Sequence, residues 1–354
     1  MYRIISSPIV STPTHRSKLL LHLLLSSILV LNPTITRAEP PAATQLPTGE
    51  QVVGGQASIS RHHNTMTINQ STNRAAIDWQ SFDIGRQATV NFNQPSTSSV
   101  SLNRVQGGNP SQIFGQLNAN GQVFLSNPNG IYFAPGASID VGGLVATTHS
   151  LSVDDFMAGK DHFTRNGATG SILNEGTLTA ALGGYIALLA PEVRNDGVII
   201  AELGTVALAA GEAYELTFDR DRHLTGLRVD PAAIHTLVEN KQAVLAPGGL
   251  IILSAHATNQ LHGSVVRHDG VLSASSLVNQ GGRIMLEGDD ISLGSRSSIA
   301  ATGATGGGDI LIGGDWQGQG DMRHATTVTM GLSLLGLVGV VIWTMVKQTK
   351  EKEL

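Results

Sequence analysis

"ILNEGTLTAALGGYIALLA", Ile172 to Ala190, is followed almost at once by a variant of itself, "VRNDGVIIAELGTVALAA", Val193 to Ala210. Asn174, Gly176 and Gly183 align with Asn195, Gly197 and Gly204, each 21 positions on. A third copy runs from Val266 to Gly288, a weaker one from Ile299 to Gly314, and "PGGLIILSA" from Pro247 repeats the second half of the unit. One unit is therefore a polar-Gly turn, a short strand, another Gly turn and a second short strand. Self-similarity at a short fixed period marks a solenoid, in which no single unit can bury its own apolar face. "YIALLA" and "RIMLEG" alternate along the chain, so one face of each strand points inward. A β-sandwich also turns every few residues but requires no fixed repeat. The reading is all-β, a parallel β-helix with small excursions. About 13 coils at ~4.8 Å apart would fill the repetitive part.

Composition agrees. Of 354 residues, only 14% are charged, 4% are aromatic, 41 are glycine and none is cysteine. Such a chain suits short strands and tight turns rather than a helical enzyme. Zero cysteines excludes disulfides and thiolate metal sites, and no cofactor signature is present. A net charge of −5 gives no basic footprint for nucleic acid.

Two stretches break the repeat. Ser150 to Gly170 is polar and charged, and is expected to leave the coil as an excursion or short helix. Tyr214 to Glu239 begins like a hairpin and is expected to end as a short helix opened by Asp230-Pro231.

The ends differ from the middle. Arg3, Arg16 and Lys18 precede the apolar run Leu19 to Leu31, then "NPT" and "ITRAEP". This is the layout of a secretory signal peptide over residues 1–38, with cleavage expected after Ala38. At the other end "ATTVTM", Ala325 to Met330, reads as a strand. The uncharged stretch 328–346 is near the minimum for a transmembrane helix, with Trp343 and Lys347 suited to an interface. Its alternatives are an apolar cap and an interrupted reading frame. A charged tail, 347–354, follows.

"SNPNGIYFAPG", Ser126 to Gly136, is a turn specified by four residues between two apolar runs. Pro128 fixes its own φ and pushes Asn127 into extended geometry. Asn129 tolerates the left-handed region, and Gly130 accepts it at no steric cost.

The segments "NRAAIDWQSFDIG" (Asn73 to Gly85) and "GGNPSQIFGQLNANGQVFLSNPNGIYFAPGASIDVGGLVATT" (Gly107 to Thr148) resemble the N-terminal secretion domain of filamentous-haemagglutinin-type exoproteins, the exported partners of two-partner secretion systems. The resemblance spans about residues 50–320, with the "NPNGI" motif intact at Asn127 to Ile131. It departs where many members carry "NPNL", since Asn91 to Leu102 reads "NFNQPSTSSVSL", and family exoproteins are usually far longer. The resemblance implies a right-handed parallel β-helix over 39–325. It also implies recognition by an outer-membrane β-barrel transporter of the Omp85 type through POTRA domains. The protein would be released or held on the cell surface, with an adhesin- or haemagglutinin-like activity toward a host carbohydrate or protein. Asn127, Pro128, Asn129, Gly130 and Ile131 then form the motif for folding or transporter recognition, without chemistry. The alternative is a periplasmic β-helix binding protein anchored in the membrane through 328–346.

A β-helix can also carry a polysaccharide-acting enzyme, which needs clustered carboxylates. The candidates are Asp154-Asp155, Asp219 with Asp221, and Asp289-Asp290. Each has a simpler reading, as part of an excursion, a solvated hairpin or a turn. Adjacent His62 and His63 would point to opposite faces of a strand. "GATGGGDILIGGD", Gly303 to Asp315, lacks calcium-repeat spacing, and no nucleophile elbow, P-loop or zinc motif occurs. The expectation is a protein without catalytic or metal residues.

Overall fold

The structure, a computed structural model, describes residues 39–331 apart from 260 and 279. The expected signal peptide lies outside these residues. So does most of the 328–346 segment, but its first residues do not: Thr327–Met330 is a strand paired in parallel with Asp290–Leu293. Among the described residues no helix is long and apolar enough to cross a membrane.

The unit from residue 40 onward is a parallel β-helix with three faces. The first face stacks Thr65–Gln70, Thr89–Asn93, the leading halves of Gln116–Ser126, Ser138–Thr147 and Thr177–Leu189, and then Val198–Ala201, Ala243–Leu245, Val271–Ser273 and Ser298–Ala300. The second face runs from Arg74–Trp79 to Asp309–Ile312 through the trailing halves of the same three long strands. Because those strands turn the corner without a break, both faces belong to one sheet of 17 strands. The third face is a sheet of 8 strands, from Ser111–Ile113 to Thr327–Met330.

The stack is thus nine coils deep on its first face, fewer than the repeat length suggests. Two excursions and several long corners consume the difference. The repeat also slips by one: Thr177 pairs with Val198, 21 positions on, but Tyr185 pairs with Thr205, 20 positions on. Gly184, not Gly183, lies beneath Gly204. Gly183 takes φ +75° and absorbs the extra residue at the corner.

That corner explains the recurring Gly-Gly. A Cβ on Gly204 would sit 2.0 Å from the Gly184 carbonyl oxygen, one on Gly249 2.1 Å from that of Gly204, and one on Gly282 1.9 Å from that of Gly249. Backbone approaches backbone so closely that only glycine fits. Inward-facing Val, Ile, Leu and Phe, from Ile68 and Val90 to Leu286 and Ile291, fill the coil. Each contributes about 1.5–3 kcal/mol on full burial. The conserved spacing of Asn174 and Asn195 serves an interior ladder. Asn174 Nδ2 donates to Asn195 Oδ1 and Asn195 Nδ2 to Asn240 Oδ1, both at 2.7 Å, and Asn240 Nδ2 meets His268 Nδ1 at 3.1 Å. These amides, all fully buried, satisfy one another and the turns beside them.

Gln51–Gly54 and Ala57–His62 close the first coil by antiparallel pairing with Arg74–Trp79 and Thr65–Gln70. The two excursions come together outside the second face. Residues 148–170 hold the helix Val153–Met157 and the strand His162–Thr164. That strand pairs with the hairpin Ala213–Phe218/Leu224–Asp230 to give a 3-stranded antiparallel sheet. A second core results, in which Phe124, Val145, Tyr185 and Ala207 of the coil meet Leu151, Phe156, Phe163, Tyr214 and Leu216 of the excursions. The expected helix after Asp230-Pro231 does not form. Thr236–Asn240 is a strand of the third face, because burying Leu237 and Val238 and pairing in parallel with Glu192–Asn195 outweighs the local helix-start signal.

Candidate functional site

The Asn127–Ile131 turn is the corner where the third coil passes from second to third face. Gly130 N donates to Asn127 O at 3.0 Å, closing a four-residue turn. Gly130 takes φ +118°, and a Cβ there would lie 2.9 Å from the Ser171 carbonyl oxygen of the next coil. Ile131 is buried in the core and pairs with Ser111 below and Ile172 above.

Asn127 is wholly buried and joins three coils. Its Nδ2 donates to Asn109 O and to Ser111 Oγ in the preceding coil, each at 3.0 Å. Its Oδ1 accepts from Asn129 N at 3.0 Å and Asn129 Nδ2 at 3.2 Å. Its own backbone N–H reaches Thr147 O in the following coil at 2.9 Å. Asn129 is exposed, though its Nδ2 also donates to Gly107 O at 2.9 Å. The five motif residues therefore divide. Asn127, Gly130 and Ile131 are inside the stack, whereas Pro128 and Asn129 form its visible surface. The corner has no nucleophile and no titratable group; it can present a rigid shape and nothing more reactive.

Gly107, Asn109, Ser111 and Thr147 complete the site without having been singled out in the sequence. The Asn109-Pro110 pair, 18 positions before Asn127-Pro128, is the signal that could have found them, since it marks the same corner one coil earlier.

Three of the acidic candidates, Asp155, Asp219 and Asp289, have structural partners. Asp155 caps its short helix with Ser152 and pairs with Lys160, which together hold its carboxyl below the usual range. Asp219 accepts from the backbone of Asp221 and His223 and pairs with His223 Nδ1 at 2.9 Å, fixing an exposed hairpin tip. Asp219, Asp221 and His223 bring ligand atoms within 4.8 Å of one another, and two of the three, Asp219 and His223, already bond each other. Asp289 is buried against Arg323 and Ser264, while Asp290 opens a strand. His62 and His63 stack edge to face at 4.2 Å in the turn of the capping hairpin. Residues 303–315 form a corner and the strand Asp309–Ile312.

Two buried polar features lie beneath the excursions. Asp161 bonds Arg222 at 2.8 Å and sits 3.6 Å from Arg74, tying the hairpin tip and the first excursion to the first coil. His149, fully buried, meets Gly211 O through Nε2 at 3.1 Å and packs against the Tyr214 ring, tilted by 53°. Burial pushes its pKa down to about 4.

Residues 43–301 match the family model described as the TPS secretion domain. Two Haemophilus influenzae proteins, each named Heme/hemopexin-binding protein, are similar. One is 38% identical over 278 residues, covering 77% of this chain and 30% of that protein. The other is 34% identical over 304 residues, covering 80% and 32%. The chain thus spans about a third of the length of these curated relatives. Among solved structures, the HMW1 secretion domain from Haemophilus influenzae superposes with a TM-score of 0.67 at 29% identity, covering 81% of this chain and 82% of that one.

Proposed function

We propose a function from one premise: the chain belongs to the TPS secretion domain family. Its β-helix is the export address of a two-partner exoprotein, read by an outer-membrane β-barrel transporter through periplasmic POTRA domains. The observation that carries this is the Asn127–Ile131 corner. A motif of five residues is bonded across three successive coils yet offers only Pro128 and Asn129 to a partner. The buried members act on folding, which in this setting accompanies export. The exposed pair is what a transporter contacts once the corner has formed.

The activity of the exported protein is a separate matter. The names of two relatives point to haem or hemopexin capture, ahead of the adhesive role of filamentous-haemagglutinin-type proteins. In either case the protein is a surface-held or released binding protein and not an enzyme. Residues 1–38 act as a cleaved signal peptide.

Cell fractionation with intact mass tests this. Protein outside the cell or on the outer membrane, lacking its first 38 or so residues, supports it. Mature protein confined to the inner membrane would favour the anchored periplasmic alternative.

A further inference from the structure

The outer surface of the first face changes character along the stack. In its early coils it carries Thr67, Asn91, Asn118 and Asp140 in one column, each directly paired with the next. Asn69 and Asn93 form a second column beside it. The first column, with Asn93 and Asn120, lines a groove of about 310 Å³.

The amides are half used. Asn118 Nδ2 donates to Asn91 Oδ1, and Asn93 Nδ2 to Asn69 Oδ1, both at 2.9 Å. Asn120 is occupied by the Gln94 backbone, accepting at 2.7 Å and donating at 2.8 Å. What remains is one-sided. Asn118 Oδ1 faces the following coil, which supplies Asp140, a group with acceptors only. The ladder therefore ends with two acceptors in succession and no donor between them. Among the described residues Asn93 Oδ1, the Asp140 carboxylate, Thr67 Oγ1 and Asn91 Nδ2 also lack a protein partner.

We propose that this groove binds the hydroxyl face of an uncharged glycan. Sugar hydroxyls supply the missing donors while accepting from Asn91 Nδ2 and Thr67. Consecutive coils repeat the amide column at ~4.8 Å, so one extended chain can engage several rungs. No Lys or Arg lines the groove, which disfavours sulfated, phosphorylated and carboxylated chains. A calcium ion would need six or more oxygens in one shell, whereas the column offers a single carboxylate and amides spread over successive coils. With no exposed aromatic ring to stack on, binding would be weak and would depend on chain length.

The proposal does not rest on the export reading. Its test uses the full chain, titrated with cellohexaose, maltohexaose and mannohexaose, and with a hyaluronan hexasaccharide as the anionic control, followed by saturation-transfer NMR. At least one neutral hexasaccharide should bind saturably in the presence of EDTA. Asn118→Ala together with Asp140→Ala should weaken that binding at least fivefold with an unchanged melting temperature. Asp140→Asn, which keeps the shape, should weaken it less. Binding of none of the neutral chains would overturn the proposal. So would preference for hyaluronan, loss of binding on chelation, or undiminished binding by the double variant. Secretion of these variants should match the parent, so a failure here leaves the export reading standing.

Discussion

Replacing Asn127 by Ala separates folding from recognition at the corner. The change removes two donated bonds of 3.0 Å, to Asn109 O and Ser111 Oγ, and two accepted from Asn129 at 3.0 and 3.2 Å. Asn109 and Asn129 are exposed, so water replaces the lost partner there and only the net bond is forfeited. Ser111 is buried, and its hydroxyl loses the donor that Asn127 supplied. Summed at about 1 kcal/mol for each of the three exchangeable bonds and slightly more for the buried hydroxyl, the loss is about 4 kcal/mol. For a domain of this size that is a fall in melting temperature of roughly 6–10 °C. Asn129→Ala loses two bonds, to Gly107 O and Asn127 Oδ1, while its backbone N–H still serves Asn127 Oδ1, and should cost about 2 kcal/mol, half as much. The assay is thermal unfolding of the purified chain, read by circular dichroism, beside the amount secreted. Asn127→Ala should lower both. Asn129→Ala should lower the melting temperature about half as much, and lower secretion by more than that smaller loss accounts for if the exposed pair contacts the transporter. An Asn127→Ala protein melting within a degree of the parent would refute the staple. Equal destabilisation by Asn129→Ala would refute the division of roles.

Three further outcomes follow from the packing. Gly204→Ala places a Cβ 2.0 Å from the Gly184 carbonyl oxygen and should cost more than about 3 kcal/mol in a urea titration, whereas Gly108→Ala, with nothing within 4 Å, should be neutral. Asp161→Ala leaves Arg74 and Arg222 without their buried carboxylate, a change of about 3–5 kcal/mol, and should be read as rapid tryptic cleavage after Arg220 or Arg222 while the coil stays protected. His149 titrates near 4 in the folded protein against 6.5 when unfolded, so the unfolded chain binds more protons between these values. Stability is therefore full above pH 6.5 and lost as pH falls toward 4, by about 2 kcal/mol at pH 5, a slope that His149→Gln should remove in paired urea titrations.

What the sequence disclosed was set by range. The coil repeats locally, so "N-x-G" and "GG-x-[IV]-x-L" revealed the solenoid, and the turn chemistry of Pro128 to Gly130 revealed the corner. Long-range consequences were hidden. The coil count depended on how much chain two excursions consume. The hairpin Ala213–Phe218/Leu224–Asp230 gave no sign that it packs with residues 148–170 over Tyr185 and Phe124. Asp230-Pro231 carried a sound helix-start signal that a parallel neighbour overrode. At the corner the exposed and buried members look alike in sequence. Only the coil beneath shows that Asn127 holds the stack together and that Asn129 faces outward.

The central claim is that this domain is exported through a partner. The most direct measurement is secretion of the full chain by cells carrying its outer-membrane transporter, by cells deleted for it, and by the deleted cells complemented. The account predicts processed protein in the medium or on the surface only when the transporter is present, with periplasmic retention otherwise. Equal amounts outside the cell with and without the transporter would contradict it.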